Sequence, residues 1–474
     1  MLLNRRILTR IFASLQTQIN LKPASVHQSF SPAKLLHSGV AAKIVMEPKL
    51  YQPPVEVRGM TSLNKDAFTQ IITVPALRVP IGVLHKVLKS LKKSIIKRPN
   101  LFKVVQDNEG SDDFRLVLLD PHSVSSASSF SEAEAEMLRS FSVAAELQNY
   151  ELKLTYDQLK SDEVLEAVLP QGQVVTSGFS RVGHIAHLNL RDHQLPYKNV
   201  IGQVIMDKNP GVTCVVNKTN IIDSTYRNFK MELLAGEENM VVKVKENGVA
   251  YEFDFSRVYW NPRLSTEHQR VVQLVKRGDT VFDVFAGVGP FAIPAARLGA
   301  KVLANDLNPE SYKWLQHNCK LNKVESKVRT FNMDGRAFIQ GPFKEELRSL
   351  MKGEGGIHVV MNLPALALEF LDAFRGLLQL ETTSELNLPT VYCYAFSKEE
   401  NPEADVVERA SRNLGFPLEN KCSVHFVRNV APNKDMLCVR FPIPKEVLFC
   451  SDESSTEPSE EPALKRLKCD ESTK

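Results

Sequence analysis

The apolar and polar positions of this chain change their period several times, and the clearest pattern lies in the last third. Short runs of β-branched and aromatic residues, typical of strands buried on both faces, alternate there with stretches of helical period. The predicted strands are residues 281–285, 301–304, 328–332, 357–361 and 391–396, with a helix over 309–321. Two further runs, 422–430 and 436–441, predict a closing antiparallel hairpin. This order predicts a doubly wound α/β domain over residues 259–445.

Residues 46–149 are predicted to form a small N-terminal domain that includes a Ser-rich linker. An apolar stripe at helical spacing predicts an amphipathic helix, formed by Val83, Leu84, Val87, Leu88, Leu91 and Ile95. The remaining face is basic and carries no acid: Lys86, Lys89, Lys92, Lys93, Lys97 and Arg98. Such a face is either merely solvated or binds RNA phosphates. The serines of the predicted linker lie in residues 122–131.

Residues 150–258 mix strand and helix patterns, which predicts an α+β domain packed before the α/β domain. The predicted strands are 174–179, 185–190, 212–216, 241–245 and 249–255, and a helix is predicted over 197–208. The sequence Glu246-Asn247-Gly248 predicts a hairpin turn between the last two strands.

The start of the chain has a composition of its own. The first acidic residue is Glu47, and before it Arg5, Arg6 and Arg10 alternate with apolar residues on a helical period. Residues 1–45 are therefore predicted to be a mitochondrial transit leader, with a disordered or partner-binding arm as the alternative. A second start at Met46 would remove this leader. We expect the protein in the mitochondrial matrix and also in the nucleus and cytoplasm.

The end of the chain and the composition narrow the class of protein further. Residues 446–474 are acidic and Ser-rich and predict a disordered tail, with a basic cluster at Lys465, Arg466 and Lys468 as a weak nuclear signal. Net charge is only +4, so nucleic-acid binding would need a local basic patch. No apolar run reaches the ~18 residues of a membrane span. The seven cysteines include no Cys-x-x-Cys pair, which argues against zinc and disulfides and predicts a site without metal.

A glycine turn after the first strand of the α/β domain carries the strongest chemical signal. Gly287 and Gly289 follow residues 281–285 and would let the backbone approach a ligand. The turn lacks the third glycine of a dinucleotide site and the lysine of a P-loop. Asp283 and Asp306 stand at the ends of successive strands. In class I methyltransferases the first acid lies near the methionine end of S-adenosylmethionine and the second binds the ribose hydroxyls; a glycine turn without ligand is the alternative.

Two later strand ends predict the rest of the site. Asp334 stands where class I methyltransferases bind the adenine amine, although it could equally be the N-cap of a helix over residues 336–339. The fourth strand ends in Asn362-Leu363-Pro364-Ala365, where the methyl acceptor must lie. Enzymes that methylate an exocyclic amine have an aromatic residue at the position of Ala365, so this chemistry is disfavoured.

A ring nitrogen that bears a proton needs a general base and a cation facing the neighbouring carbonyl oxygen. Residues 259–268 supply such groups just before the glycine turn. Glu267 would lie in the first turn of a helix that starts at Ser265, and Arg263 would lie just before it. The alternative is a helix start with an acid favoured by the helix dipole.

These motifs together resemble the archaeal and eukaryotic tRNA (guanine-37-N1) methyltransferases over roughly residues 170–445. The matching sequences are Tyr-x-Asn-Pro-Arg-Leu-x-x-Glu from Tyr259, Asp-Val-Phe-Ala-Gly-Val-Gly-Pro-Phe from Asp283, Asn-Asp-Leu-Asn-Pro from Asn305, Asn-Leu-Pro from Asn362, Tyr226-Arg227 and Leu234-Ala235-Gly236-Glu237. The resemblance implies a class I (Rossmann-like) fold, S-adenosylmethionine as cofactor, and a tRNA substrate methylated on N1 of guanosine 37. It also implies a first domain that contacts the outer corner of the tRNA, and we expect a monomer.

The resemblance also implies a role for individual residues. Glu267 would be the general base, Arg227 would stabilise charge at O6, and Asn362 with Pro364 would hold the base. Tyr259 and Arg263 would position the nucleotide. The residues lining the cofactor would be His268, Asp283, Gly287, Gly289, Asp306, Leu307, Asp334, Gly335 and Asn362. His268 stands where archaeal relatives have Arg, and Ala365 where some have Lys.

Two other hypotheses remain open at this point. A class I methyltransferase could act on another RNA nitrogen or on a small molecule, which would make Arg227 and Glu267 incidental. A non-catalytic RNA-binding protein would be expected to lose Asp306, the glycines or the catalytic pair, and the sequence retains them all.

Overall fold

The computed structural model describes residues 51–172, 178–222, 229–378 and 386–449. Four of the predicted features lie wholly or mostly outside these residues: the leader, the C-terminal tail with its basic cluster, the strand predicted over 174–179, and the pair Tyr226-Arg227. The tail was predicted to be disordered from residue 446, which is wrong for its first residues, because Lys445–Leu448 form a helix and Val447 and Leu448 are buried. Within the described ranges, no helix is long and apolar enough to cross a membrane.

The first sheet has four antiparallel strands in the order β2-β3-β1-β4. Its elements are β1 (Gln70–Pro80), α1 (Ile81–Ser90), β2 (Val104–Gln106), β3 (Phe114–Leu118), α2 (Glu132–Ser140) and β4 (Leu147–Leu154). β4 pairs with β1 along its whole length, so this sheet continues past residue 149. The Ser-rich segment ends by capping α2, because the Ser131 hydroxyl and the Glu134 carboxylate each accept a hydrogen bond from the other residue's backbone amide.

The predicted amphipathic helix is confirmed, but it is shorter than its apolar stripe. α1 ends at Ser90; Val87 and Leu91 are buried, and Ile95 forms an isolated bridge with Leu119. The five lysines of the basic face are exposed: Lys86, Lys89, Lys92, Lys93 and Lys97. Arg98 differs from them, because its guanidinium makes two 2.8 Å hydrogen bonds to Glu163 and its side chain is only 5% exposed. Arg98 is therefore a structural cation and not part of a free phosphate-binding face.

The second sheet has the order β5-β6-β7-β8, in which only β6 and β7 run parallel. Its elements are α3 (Ser161–Val168), β5 (Ser180–Val182), β6 (Ile185–Leu188), α4 (Lys198–Lys208), β7 (Cys214–Ile222) and β8 (Phe229–Gly236). Gly178 and Phe179 lie just before β5 and not in a strand. α4 packs closely on β8, since a Cβ at Gly202 would lie 2.7 Å from Cβ of Leu234.

The predicted hairpin turn joins β9 (Val241–Glu246) to β10 (Val249–Asp254). Asn247 and Gly248 both have positive φ, at 48° and 79°, as a tight two-residue hairpin requires. Tyr251 and Phe253 are buried in one core cluster with Trp260 and Val281. The hairpin therefore packs against the third domain, although the sequence grouped it with residues 150–258.

The largest sheet has seven strands in the order β13-β12-β11-β14-β15-β17-β16. The strands are β11 (Thr280–Asp283), β12 (Lys301–Asn305), β13 (Val328–Phe331), β14 (Ile357–Met361), β15 (Thr390–Ser397), β16 (Ser423–Ala431) and β17 (Lys434–Pro442). The helices are α5 (Ser265–Val272), α6 (Ala292–Leu298), α7 (Pro309–Leu321), α8 (Gly335–Phe338), α9 (Lys344–Leu350), α10 (Pro402–Leu414) and α11 (Lys445–Leu448). Only β16 and β17 are antiparallel to their neighbours. This topology confirms the predicted class I fold.

Alternate residues of the central strands face opposite sides of this sheet. Val281 and Val360 belong to one core cluster, while Phe282 and Val359 belong to the other. Both faces are buried, which explains why the strands are continuous apolar runs. The carboxyl ends of the parallel strands meet at one edge, and a doubly wound sheet binds its ligands there.

Candidate active site

The glycine turn after β11 gives its two glycines different roles. Gly287 has φ of +55°, and a Cβ built on it would meet no atom within 4 Å, so the backbone faces open space there. Gly289 has φ of +100°, but its Cβ would lie 2.7 Å from Ile293 and 2.9 Å from Leu315. Gly287 therefore suits a ligand that approaches the backbone, whereas Gly289 allows α6 and α7 to pack closely. The ligand contact predicted at Gly289 has no support in this packing.

Asp306 is anchored by backbone amides on both sides. Oδ2 accepts a hydrogen bond of 2.8 Å from the Gly287 amide, and Oδ1 accepts one of 2.9 Å from the Asn308 amide. Burial raises the pKa of Asp306 to about 6, and these two amides oppose the rise. The adjacent Leu307 is 49% exposed. A fixed carboxylate beside an exposed apolar side chain matches the ribose and base of a nucleoside.

Asp283 is completely buried, and neither carboxylate oxygen has a hydrogen-bond partner of normal geometry among the described residues. Burial and the charge of Asp306 raise the pKa of Asp283 well above its usual value, against a weaker effect of the Phe285 amide. A buried carboxylate without a partner is costly, and a cation beside it would relieve that cost. The ammonium group of S-adenosylmethionine is such a cation, so these residues fit the predicted cofactor.

Asp334 is the N-cap of α8, because its Oδ1 accepts a 2.8 Å hydrogen bond from the Arg336 amide. The helix-cap interpretation is thus confirmed, while the contact with adenine stays a prediction. Gly335 is needed for packing, since its Cβ would lie 2.9 Å from Phe285 and 3.0 Å from Phe370. These two rings pack edge to face with centroids 5.0 Å apart. The two rings therefore pack on each other next to Gly335.

The acceptor end of the site follows β14. Asn362 Oδ1 is buried and has no hydrogen-bond partner among the described residues. The carbonyl of Pro364 accepts a 3.0 Å hydrogen bond from the Phe396 amide, which ties this turn to β15. Ala365 is exposed. The turn therefore holds one amide oxygen free to accept a hydrogen bond from a bound base.

Glu267 lies in the first turn of α5, as predicted, and it is only 4% exposed. Arg270, one turn further along, donates from Nη2 to Oε1 at 2.6 Å and from Nε to Oε2 at 2.7 Å. The Tyr394 hydroxyl donates to Oε1 at 2.7 Å, and His425 Nε2 lies 3.4 Å from Oε2. The guanidinium and the phenol fix the position of this carboxylate, and a carboxylate at the acceptor end is a group that can serve as a general base.

The strand register brings Glu267 to the acceptor end. Met361, the last residue of β14, lies opposite Cys393 of β15, so Asn362 and Tyr394 follow at the same level of the sheet. The hydroxyl of Tyr394 contacts Glu267 at this level. Glu267 and Asn362 therefore share one edge of the sheet.

The other residues predicted for the site lie around α5. His268 is buried; its Nδ1 lies 2.7 Å from Glu246 Oε1, and its ring packs edge-on against Phe291 with centroids 4.8 Å apart. His268 thereby ties the β9–β10 hairpin to the glycine turn, and its contact with the cofactor stays a prediction. Tyr259 is 55% exposed and Arg263 is exposed, as residues that meet a nucleotide should be. No cluster of three potential metal ligands occurs in the parts of the chain that the structure describes.

Comparison with known proteins identifies the family. Residues 242–384 match the TRM5/TYW2 methyltransferase domain, and residues 161–239 match the TYW2 N-terminal domain. A curated tRNA (guanine(37)-N(1))-methyltransferase of Danio rerio is 64% identical over 432 residues, which cover 90% of either protein. This chain belongs to the tRNA (guanine(37)-N(1))-methyltransferase family. The Homo sapiens protein of that name is 55% identical and is matched over 89% of this chain and 83% of its own length.

Solved structures agree at the level of the fold. The complex of aTrm5 and tRNALeu gives a TM-score of 0.54 at 21% identity and covers 78% of this chain and 100% of its own. Trm5b from Pyrococcus abyssi gives a TM-score of 0.51 at 24% identity and covers 78% of this chain and 99% of its own. The predictions of a methyltransferase and of S-adenosylmethionine as its cofactor are confirmed by membership of the family.

Three of the residues around Glu267 were missed in the sequence. Arg270 could have been found, because Glu and Arg three residues apart face each other on a helix. Tyr394 and His425 carry no local signal, since they reach Glu267 only through the pairing of β15, β17 and β16. Arg227, the predicted cation at O6, lies outside the described residues, so its role stays a prediction.

Proposed function

We propose that this protein transfers a methyl group from S-adenosylmethionine to N1 of guanosine 37 in tRNA, with Glu267 as the general base. The main support is that two hydrogen-bond acceptors, Glu267 and Asn362, lie at the end of the site where the methylated base would bind. The carboxylate of Glu267 accepts from the Arg270 guanidinium, and Asn362 has an amide oxygen without a partner among the described residues. The Watson–Crick edge of guanine offers two donors, N1–H and the N2 amine. Adenine offers an acceptor at N1, so it would leave one of these oxygens unpaired.

The residues of this chain then have distinct tasks in the reaction. Glu267 takes the proton from N1, so that the lone pair left on N1 can form the bond to the methyl carbon. Asn362 accepts a hydrogen bond from the base edge, and Arg227 offsets the negative charge that spreads onto O6. Tyr259 and Arg263 position the nucleotide after it has left the anticodon stack.

The donor site is formed by the strand ends described above. Asp283 would accept from the ammonium group, Asp306 would accept from the ribose hydroxyls, and the backbone at Gly287 would lie against the ligand. When bound, S-adenosylmethionine supplies an electrophilic methyl group on a sulfonium centre. The roles of His268, Leu307, Asp334 and Gly335 rest on the family resemblance.

Mapping the modified nucleotide tests the proposal directly. An unmodified tRNA transcript with G37 and a matched transcript with A37 would be incubated with the protein and labelled S-adenosylmethionine, then digested for mass spectrometry. We expect one 1-methylguanosine at position 37 and no label in the A37 transcript. Methylation of another nucleotide, or of a small molecule only, would support the alternative class I activity; no transfer at all would support a non-catalytic RNA-binding protein.

We further propose that the exposed lysines of α1 contact the outer corner of the tRNA and that one protein molecule binds one tRNA. The support is the exposed basic face of α1, whose side chains are suited to phosphate contacts. Sedimentation of the protein alone and with tRNA would test the stoichiometry, and a dimer at working concentrations would contradict it.

The distribution between compartments is also a proposal, based on the acid-free, Arg-rich sequence of residues 1–45. A fluorescent fusion of this segment should enter mitochondria, while a protein that starts at Met46 should remain in the nucleus and cytoplasm. A diffuse signal from the leader fusion would show that the segment is not a transit leader.

A further inference from the structure

The surroundings of Glu267 are more elaborate than a helix-surface ion pair. Three strands present one row of side chains to it, because Cys438 of β17 lies opposite both Tyr394 of β15 and His425 of β16. Arg270 reaches the carboxylate from the same helix. These four are the titratable or charged groups that face Glu267 among the described residues.

The two carboxylate oxygens of Glu267 accept different numbers of hydrogen bonds from Arg270 and Tyr394. A carboxylate has about four lone-pair sites. Oε1 uses two of them, for Arg270 Nη2 and the Tyr394 hydroxyl. Oε2 uses one, for Arg270 Nε. The site left on Oε2 faces His425, whose ring nitrogen lies 3.4 Å away and whose side chain is 48% exposed, so Oε2 is the oxygen with fewer hydrogen bonds from Arg270 and Tyr394.

Three of the four groups that face Glu267 keep one protonation state: Tyr394, Arg270 and Cys438. Burial raises the pKa of the Tyr394 phenol well above its usual value, so the hydroxyl keeps its proton and donates. The hydrogen bond to Glu267 raises the pKa of Arg270, which stays a cation. Burial also raises the pKa of the Cys438 thiol to about 12, so it remains neutral. The fourth group, His425, has its Nε2 3.4 Å from Oε2.

We propose that Arg270 and Tyr394 are positioning residues of the methyl transfer, which fix the Glu267 carboxylate and direct Oε2 towards N1 of the guanine. The proposal rests on the proposed role of Glu267 as the base. The N1–H bond breaks as the Oε2–H bond forms, and the electron pair that stays on N1 would form the bond to the methyl carbon, while the pair of the broken carbon–sulfur bond would stay on the sulfur of the donor. Oε1 remains a hydrogen-bond acceptor throughout, so Arg270 and Tyr394 act through Glu267 and do not touch the substrate.

A double-mutant cycle on the full-length protein tests this inference. Single-turnover methyl transfer would be measured from pH 5 to 9 at saturating tRNA and S-adenosylmethionine for Tyr394→Phe, Arg270→Gln and Arg270→Lys, each alone and combined with Glu267→Gln. Tyr392→Phe is the matched control, because this buried phenol lies two residues away on the same strand and contacts His358. Arg409→Gln controls for the loss of a helical Arg–carboxylate pair, which Arg409 forms with Asp405.

We expect Arg270→Gln to slow transfer at least tenfold and Tyr394→Phe to slow it severalfold, with unchanged affinity for tRNA. The acid limb of the rate profile should move to higher pH by about one unit or more in Arg270→Gln, because the carboxylate loses a facing cation. Arg270→Lys keeps the charge and should keep the acid limb near its wild-type position while losing part of the rate. In the Glu267→Gln background the same substitutions should have little further effect.

Four different results would count against the inference or against its premise that Glu267 is the base. Equal effects of Tyr394→Phe and Arg270→Gln with and without Glu267→Gln would show that they do not act through Glu267. An unmoved acid limb in Arg270→Gln would give Arg270 a purely structural role. Equal losses of rate in Tyr392→Phe and Arg409→Gln would give Arg270 and Tyr394 a purely structural role as well. A Glu267→Gln protein with wild-type rate would instead remove the base assignment. His425→Asn tests whether the acid limb of the rate profile arises from the histidine and not from Glu267. If it does, the acid limb should disappear in this variant.

Discussion

The donor end and the acceptor end of this site are built in different ways. At the donor end, Asp283 and Asp306 directly end or follow neighbouring parallel strands, and Asp283 has no partner among the described residues. At the acceptor end, Glu267 is surrounded by Arg270, Tyr394 and His425, which come from three different elements. The donor end thus leaves a buried carboxyl group without a partner for a cationic ligand to bind, whereas the acceptor end pairs its carboxyl group within the protein.

The largest effect is expected at the acceptor end. Glu267→Gln keeps the shape of the side chain but loses its basicity, so single-turnover transfer should fall by roughly 10²–10⁴ at neutral pH. Donor affinity, measured by calorimetry, should change little because Glu267 lies outside the donor contacts. A large loss of donor affinity would instead show that Glu267 also belongs to the donor contacts.

The next effect concerns the donor end alone. Asp306→Ala should weaken S-adenosylmethionine binding by ~2–3 kcal/mol, because the ribose hydroxyls lose a charged acceptor. Calorimetric titration of the donor measures this, and tRNA binding by gel shift should stay the same. Unchanged donor affinity would remove Asp306 from the site.

The unpartnered carboxylate predicts a stabilising substitution. The folded-state pKa of Asp283 lies above its unfolded value, so its penalty appears as pH rises and is absent in acid, where the group is protonated in both states. Asp283→Asn should raise the free energy of unfolding of the donor-free protein by about 1–3 kcal/mol at pH 8, and this gain should vanish only below the unfolded pKa, at about pH 3. Denaturation at the two pH values measures it, with donor affinity expected to fall.

A loss of stability at pH 8 without the donor would show that Asp283 is satisfied within the protein. Glu267→Gln is the matched comparison. Its carboxylate already has a cation and a phenol as partners, so it should gain no stability at pH 8.

The smallest effect lies on α1, far along the chain from both ends of the site. Lys89→Gln should reduce the slope of log affinity for tRNA against log salt by about 1, since one phosphate contact is lost. Arg98→Gln is the control, because Arg98 is held by Glu163 and should affect thermal stability but not the salt slope. Equal slopes in wild type and Lys89→Gln would remove Lys89 from the tRNA contact.

The difference between the donor end and the acceptor end also explains which parts of the fold and of the site could be predicted from the sequence. Strand ends in a doubly wound sheet share one edge, so Asp283, Asp306 and Asn362 could be brought together from the pattern alone. Glu267 could be placed in a first helical turn because Asn261 and Pro262 precede it, and the structure has Asn261 as the N-cap of the 3-10 helix Pro262–Leu264 that leads into α5.

Contacts across the sheet could not be predicted in that way. Tyr394 reaches Glu267 over 127 residues of sequence, and its hydroxyl could have faced either side of β15 until the register was known. The β9–β10 hairpin shows the same limit, because alternation predicts a hairpin but not the surfaces that its Tyr251 and Phe253 cover. Gly289 shows the converse, since a glycine in a ligand-type turn serves the packing of Ile293 and Leu315.

The central claim is that Glu267 removes the N1 proton, and the pH dependence of Glu267→Gln tests it most directly. Single-turnover methyl transfer to a G37 transcript would be followed from pH 6 to 10 in the wild type and in Glu267→Gln. We expect the slow variant to regain rate as pH rises, because hydroxide can then take the proton, while the wild-type rate should depend less on hydroxide because Glu267 takes the proton. A Glu267→Gln protein with the wild-type rate at every pH would contradict the account.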